Sequence, residues 1–128
     1  MRKLETEMIA AIREAIADPY TDGQQFRKGN TVVFCNSSGV VGTPNFTRWI
    51  EVIFRDTVIA LIEPQTGRLS LYTKGFRTTA TKSRINVILG SLSNGLYIYQ
   101  RQGEWIVGKG GYRYDSFYEG FPVTLWLA

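Results

Sequence analysis

The sequence predicts an α+β domain. It should be a mostly antiparallel sheet of about six or seven strands, with an N-terminal helix and one helix in the middle of the chain. Three observations predict it. Residues 1–18 carry apolar side chains at helical spacing. Residues 30–72 form short alternating or apolar runs divided by turn residues. A second helical pattern, 81–92, separates that strand set from another at 96–127. At 128 residues the chain fits a single domain, 1–128, long enough to bury a core without staples.

In the first helix, Leu4, Met8, Ile9, Ile12, Ala15 and Ile16 make the apolar stripe, with Glu5, Glu7, Arg13 and Glu14 between them. Asp18-Pro19 ends it, because the residue before proline avoids helical dihedrals. Tyr20–Gly29 is polar and reads as a loop. Asn30–Asn36 has strand composition, Ser37-Ser38-Gly39 turns the chain, and Val40–Pro44 reads as a short edge piece or a loop. Phe46, Ile50, Val52 and Phe54 then share one period-2 face, and Thr47, Trp49, Glu51, Ile53 and Arg55 the other. Arg48 interrupts the apolar face at its start.

Arg55-Asp56-Thr57 is a tight connection into Val58–Ile62, whose continuous apolar run fits a central strand covered on both faces. Pro64-Gln65-Thr66-Gly67 is a turn, and Arg68–Tyr72 pairs back as a meander. Ile85, Ile88, Leu89 and Leu92 mark the buried stripe of the middle helix, which stops at Ser93-Asn94-Gly95. Leu96–Gln100 and Glu104–Val107 form a hairpin around Arg101-Gln102-Gly103. Gly108–Gly120 reads as an aromatic-rich loop with a short strand at Tyr112–Tyr114, and Phe121–Leu127 is the last strand.

Composition narrows the chemistry. There is no histidine, so Ser-His and Cys-His catalytic pairs are excluded and the commonest zinc ligand is missing. The lone Cys35 lies in an apolar strand, where a buried inert thiol is expected rather than a nucleophile, and it suits a reducing compartment. Glu51, Glu63 and Glu104 are dispersed, and nothing marks them as an acid–base pair. Gly108, Gly110 and Gly111 lack the strand–helix context of a nucleotide fingerprint. No apolar run is long enough to span a bilayer, and Met1–Glu7 lacks the apolar region of a signal peptide. The expectation is a cytoplasmic protein that is not an enzyme and has no cofactor, no metal and no membrane partner. Three basic residues against five acids leave residues 1–22 at −2, so the rest of the chain carries +6 of a net +4. Such a body favours polyanions.

The stretch that concentrates this charge is Lys74–Arg84. Its eleven positions hold four cations (Lys74, Arg77, Lys82, Arg84) and four hydroxyls (Thr78, Thr79, Thr81, Ser83), with no acid. It runs into the start of the middle helix, where unpaired N–H groups and the helix dipole normally attract Asp or Glu. Either the charges are solvated, or an anion sits among them. The anion reading makes Lys74, Arg77, Thr79, Thr81, Lys82 and Arg84 phosphate contacts. The plain reading has Thr79 or Thr81 capping the helix and the arginines paired to acids elsewhere. Asn86 is expected to tie the helix to a neighbouring strand. Tyr97 and Tyr99 share a strand face with Arg101 and are candidate stacking partners for nucleic-acid bases. As plain strand residues they would line a half-exposed sheet.

The middle of the chain resembles a group of small uncharacterised proteins of tailed bacteriophages. The resemblance rests on Asn30-Thr31, on Ile59-Ala60-Leu61 and on Gln100 followed by Trp105. Above all it rests on Gly75-Phe76-Arg77-Thr78-Thr79-Ala80-Thr81-Lys82-Ser83-Arg84-Ile85-Asn86. Ala80 stands where the group usually has Thr, and Ile85 where it usually has Leu. The resemblance implies a phage protein working in an infected bacterial cell, and carries no activity over. Two functions are expected: a non-enzymatic accessory protein binding nucleic acid or another polyanion through the basic segment, or a module for self-association or host-protein contact through an aromatic sheet face.

Overall fold

The computed structural model describes residues 2–127. The first helix, α1, runs Lys3–Ala17 and buries Met8, Ile9, Ile12 and Ala15, the expected stripe. The segment read as a loop before residue 30 contains a strand, β1, Gly23–Lys28. It is an edge strand held to β2, Thr31–Ser38, by the backbone ladder, with a bulge between Gln24 and Phe26. Its polar side chains give no apolar period, because an edge strand is fixed by hydrogen bonds rather than by a buried face.

Strands β3 (Thr47–Phe54), β4 (Thr57–Glu63) and β5 (Arg68–Leu71) continue the meander, and all pairings are antiparallel. Arg55 and Asp56 join β3 to β4 at φ 50° and 63°. Both are left-handed, as a type I′ hairpin turn requires, although neither residue is glycine. Helix α2 covers Thr79–Leu92, starting two residues before the expected 81. Then come β6 (Leu96–Arg101), β7 (Glu104–Lys109), β8 (Tyr112–Ser116) and β9 (Phe121–Thr124). The expected second strand set divides: β6-β7-β8 form their own sheet, while β9 returns to β5 and closes a six-stranded sheet of order β1-β2-β3-β4-β5-β9. The fold is α+β, with two helices and antiparallel sheets.

Both helices lie on one face of the larger sheet. Helix α1 packs on β1–β3, and α2 on β4 and on β6, with the helices touching each other. On β3 the inward face is Arg48, Ile50, Val52 and Phe54. Arg48 is 2% exposed: its guanidinium donates to Ala15 O, at the last turn of α1, and to Thr21 O (2.7 Å). The cation that breaks the apolar pattern thus satisfies one carbonyl in the last turn of α1 and one in the loop that follows it. Strand β4 is not covered on both sides as its apolar run suggests. Val58 and Leu61 point to the helix-free face and are half-buried, beside Val32, Phe34, Trp49 and Ile53.

Asn86 ties α2 to β6, as expected. Its amide donates to Ile98 O (2.8 Å) and accepts from Ile98 N–H (2.6 Å). This side chain mimics a neighbouring strand and closes the edge of the small sheet.

Candidate anion-binding site

The chain leaves β5 into Thr73, which is wholly buried. Glu119 organises the turn between β5 and α2. Its carboxylate accepts from Thr73 N–H (2.6 Å), Thr73 Oγ1 (2.7 Å) and Lys74 N–H (2.7 Å), and it lies 3.7 Å from the Arg77 guanidinium. Burial pushes the Glu119 carboxyl up, but the hydrogen bonds from Thr73 and Lys74, with the charge of Arg77, outweigh it and hold the group below its usual range. The Arg77 guanidinium also lies 5.2 Å from the centre of the Phe117 ring and 5.9 Å from that of Trp105. Arg77 thus faces an acid and two rings. The Lys74 side chain is exposed.

Thr78 caps α2, rather than Thr79 or Thr81. Its Oγ1 accepts from Thr81 N–H (3.2 Å) and donates to Thr81 Oγ1 (3.0 Å). Thr81 is thereby turned inward, while Thr79 stays exposed. The first turn of α2 carries no acid.

Arg84 is the unusual member of the segment. It is only 6% exposed. Its Nη1 is 4.0 Å from Glu5 Oε2, too far for a hydrogen bond, and its guanidinium is 5.2 Å from the centre of the Phe54 ring. Both Nε and Nη1 are buried without a hydrogen-bond partner. Burial pushes the Arg84 pKa down, and nearby Glu5 only partly restores it. Glu5 itself is committed to α1: its carboxylate accepts from Arg2 N–H (3.0 Å) and Arg2 Nε (3.3 Å).

Arg84 lines a groove of about 620 Å³ between the starts of the two helices and the end of the β3 hairpin. Arg2 and Arg55 line it with Arg84, as do Thr31, Thr79 and Ser83. The Thr31 hydroxyl is a second buried group there without a partner. Arg55 enters from its left-handed turn, its guanidinium 4.9 Å from the centre of the Phe54 ring. Across the first turn of α2 lies a second groove, of about 650 Å³, lined by Lys82, Glu5 and Asn86. Thr79 and Ser83 line both grooves.

The structure thus brings Thr79 and Arg84 to one groove and places Lys82 across the helix turn. Arg77 and Thr81 have structural partners. Tyr97 and Tyr99 sit on the small sheet with ring centroids 5.9 Å apart. Tyr97 packs directly on the Gly108 backbone, where even a methyl group would meet its ring at 2.6 Å. Arg2, Thr31 and Arg55 are groove residues that segment-by-segment reading does not join, because they come from three separate turns and ends of elements.

A family model described as Kyanoviridae Gp96 protein matches residues 1–124. The chain belongs to that family. Every helix and strand of this Kyanoviridae Gp96 member, and every residue of the groove, lies within the match. The phage origin implied by the Gly75–Asn86 segment is that of the family. Comparison with curated proteins and with solved structures returned no match. Among the described residues, no helix is long and apolar enough to cross a membrane, and no group of three Cys, Asp or Glu side chains is placed to hold a metal.

Proposed function

We propose that this protein is a non-enzymatic phage accessory protein that binds nucleic acid in the infected cell's cytoplasm, with phosphates of the strand seated across the first turn of α2. The observation that carries the reading is Arg84. A guanidinium 6% exposed, with two N–H-bearing atoms unpartnered, is a costly thing to keep, and its groove holds the equally unpartnered Thr31 hydroxyl. These atoms are closed to solvent as the groove stands, so a phosphate oxygen becomes an acceptor for Arg84 through a shift of its side chain into the groove. Arg2 and Arg55 add charge, Thr79 and Ser83 add hydroxyls, and the helix start adds unpaired N–H groups. Lys82 receives the next phosphate on the far side of the turn. Lys74 supplies only diffuse charge.

Fluorescence anisotropy of short labelled DNA and RNA strands, single and double, tests this at two salt concentrations. Affinity should fall steeply with salt. Arg55→Ala and Lys82→Ala should each weaken binding, while Arg77→Ala should not once its folding is checked. Absence of binding at low salt overturns the proposal.

A second reading has its own observation. Val32, Phe34, Trp49, Ile53, Val58 and Leu61 lie together around Glu51 on the helix-free face of the large sheet, all half-buried. Such a face suits a second copy of the chain or a host protein. It predicts a mass in solution above the 14.5 kDa of one chain, lost in Trp49→Glu. A monomer at high concentration sinks the self-association form of this reading.

A further inference from the structure

Beside the cationic groove is a partly enclosed apolar pocket of about 250 Å³, lined by Phe54, Ile59 and Phe76, with Thr57, Thr78 and Arg55 among its polar groups. It shares Phe54 and Arg55 with the groove, so the two cavities adjoin. Phe76 is 63% exposed on a turn built by left-handed Lys74 (φ 50°) and Gly75 (φ 82°). That turn is pinned by Phe76 N–H to Thr73 O (2.9 Å) and by the Glu119 carboxylate below it. An exposed phenyl ring on a pinned turn, lining an apolar pocket with the Arg55 guanidinium and beside the groove of Arg2 and Arg84, matches one kind of ligand: a flat apolar ring attached to a phosphate.

We propose that this pocket takes one unstacked base of a single-stranded nucleic acid, stacked on Phe76, while the adjoining phosphate lies with Arg55 and Arg84; this rests on the phosphate-binding reading above. The stacking role then belongs to Phe76, not to Tyr97 and Tyr99, whose rings are engaged on their own sheet. A duplex cannot insert a base this way without unpairing it, so the pocket selects single strands.

The test compares three labelled DNA probes of equal length, with ribo versions alongside: a single strand, the same strand with abasic sites throughout, and a duplex. The intact protein should bind the single strand about five- to hundredfold more tightly than the abasic strand, the gain expected of one stacked base. Phe76→Ala, an exposed change whose folding is checked by its melting temperature, should remove that gain and leave abasic binding unchanged. Equal affinity for base-bearing and abasic strands, or no effect of Phe76→Ala, overturns the base pocket while leaving the phosphate site standing. No binding to any probe at low salt overturns both.

Discussion

Arg84 holds its guanidinium 5.2 Å from the centre of the Phe54 ring, and the same ring carries Arg55 at 4.9 Å. Cation–π attraction of this kind is worth about 0.5–2 kcal/mol, whereas each buried unsatisfied donor costs about 1–3 kcal/mol. The ring therefore positions the arginines without repaying the burial of Arg84. Glu5 turns Oε1 to Arg2 and faces Arg84 with Oε2 at 4.0 Å, an ionic attraction that gives the guanidinium no hydrogen bond.

Replacing Arg84 by Met separates structure from function. An apolar side chain of similar length removes two unpartnered donors but also the cation facing buried Glu5, so the two effects oppose and stability should change by no more than about 1–2 kcal/mol, read by the melting temperature. Nucleic-acid affinity should fall at least tenfold. A sharp loss of stability with unchanged binding would make Arg84 purely structural.

The Glu119 cluster should show in acid. Its carboxyl is held below the usual value of 4.5, so the stability it contributes is complete above that value and is lost as pH falls through the lower folded value. Glu119→Gln should cost about 1–2 kcal/mol near neutrality, a figure reduced for the 38% exposure of the side chain. In urea melts from pH 7 down to pH 3, the gap between the two proteins should narrow toward the acid end. A constant gap contradicts the ionised contacts.

Asn86→Ala removes both hydrogen bonds to Ile98 and leaves that residue's N–H and C=O unsatisfied. A loss of about 2–3 kcal/mol is expected in denaturant unfolding. Hydrogen exchange of the Ile98 amide should quicken more than that of amides in β3. Equal protection in the variant would mean that β6 does not depend on this side chain.

For Arg48, substitution by Leu keeps the site apolar but strands the carbonyls of Ala15 and Thr21. The expected penalty is about 3 kcal/mol, read by thermal unfolding. Arg48→Lys should recover part of it, because an ammonium reaches one carbonyl but cannot fork to two. If Leu is tolerated as well as Lys, the capping role is wrong.

Much of the architecture was legible in the order of residues. The stripe Met8–Ile12–Ala15, the alternation from Ile50 to Phe54 and the Ile85–Ile88–Leu89–Leu92 set are local periodicities, and each predicts its own buried face. Asn86 was also readable, as a polar residue one helix turn along from Lys82. Strand β1 was not, because GQQFRK has almost no apolar content and gains its place from the β2 backbone.

The candidate site divides the same way. Sequence alone determined that this chain has no histidine, one cysteine and an acid-free run of cations entering a helix, which settles what chemistry is available. Tertiary structure decided which of those cations are free. Glu119, distant in sequence, binds Arg77, while the packing of α1 and β3 around α2 buries Arg84 and brings Arg2, Thr31 and Arg55 to it. Charge and periodicity are properties of neighbours along the chain, but pairing, desolvation and convergence depend on distances across it, and only the folded arrangement sets those.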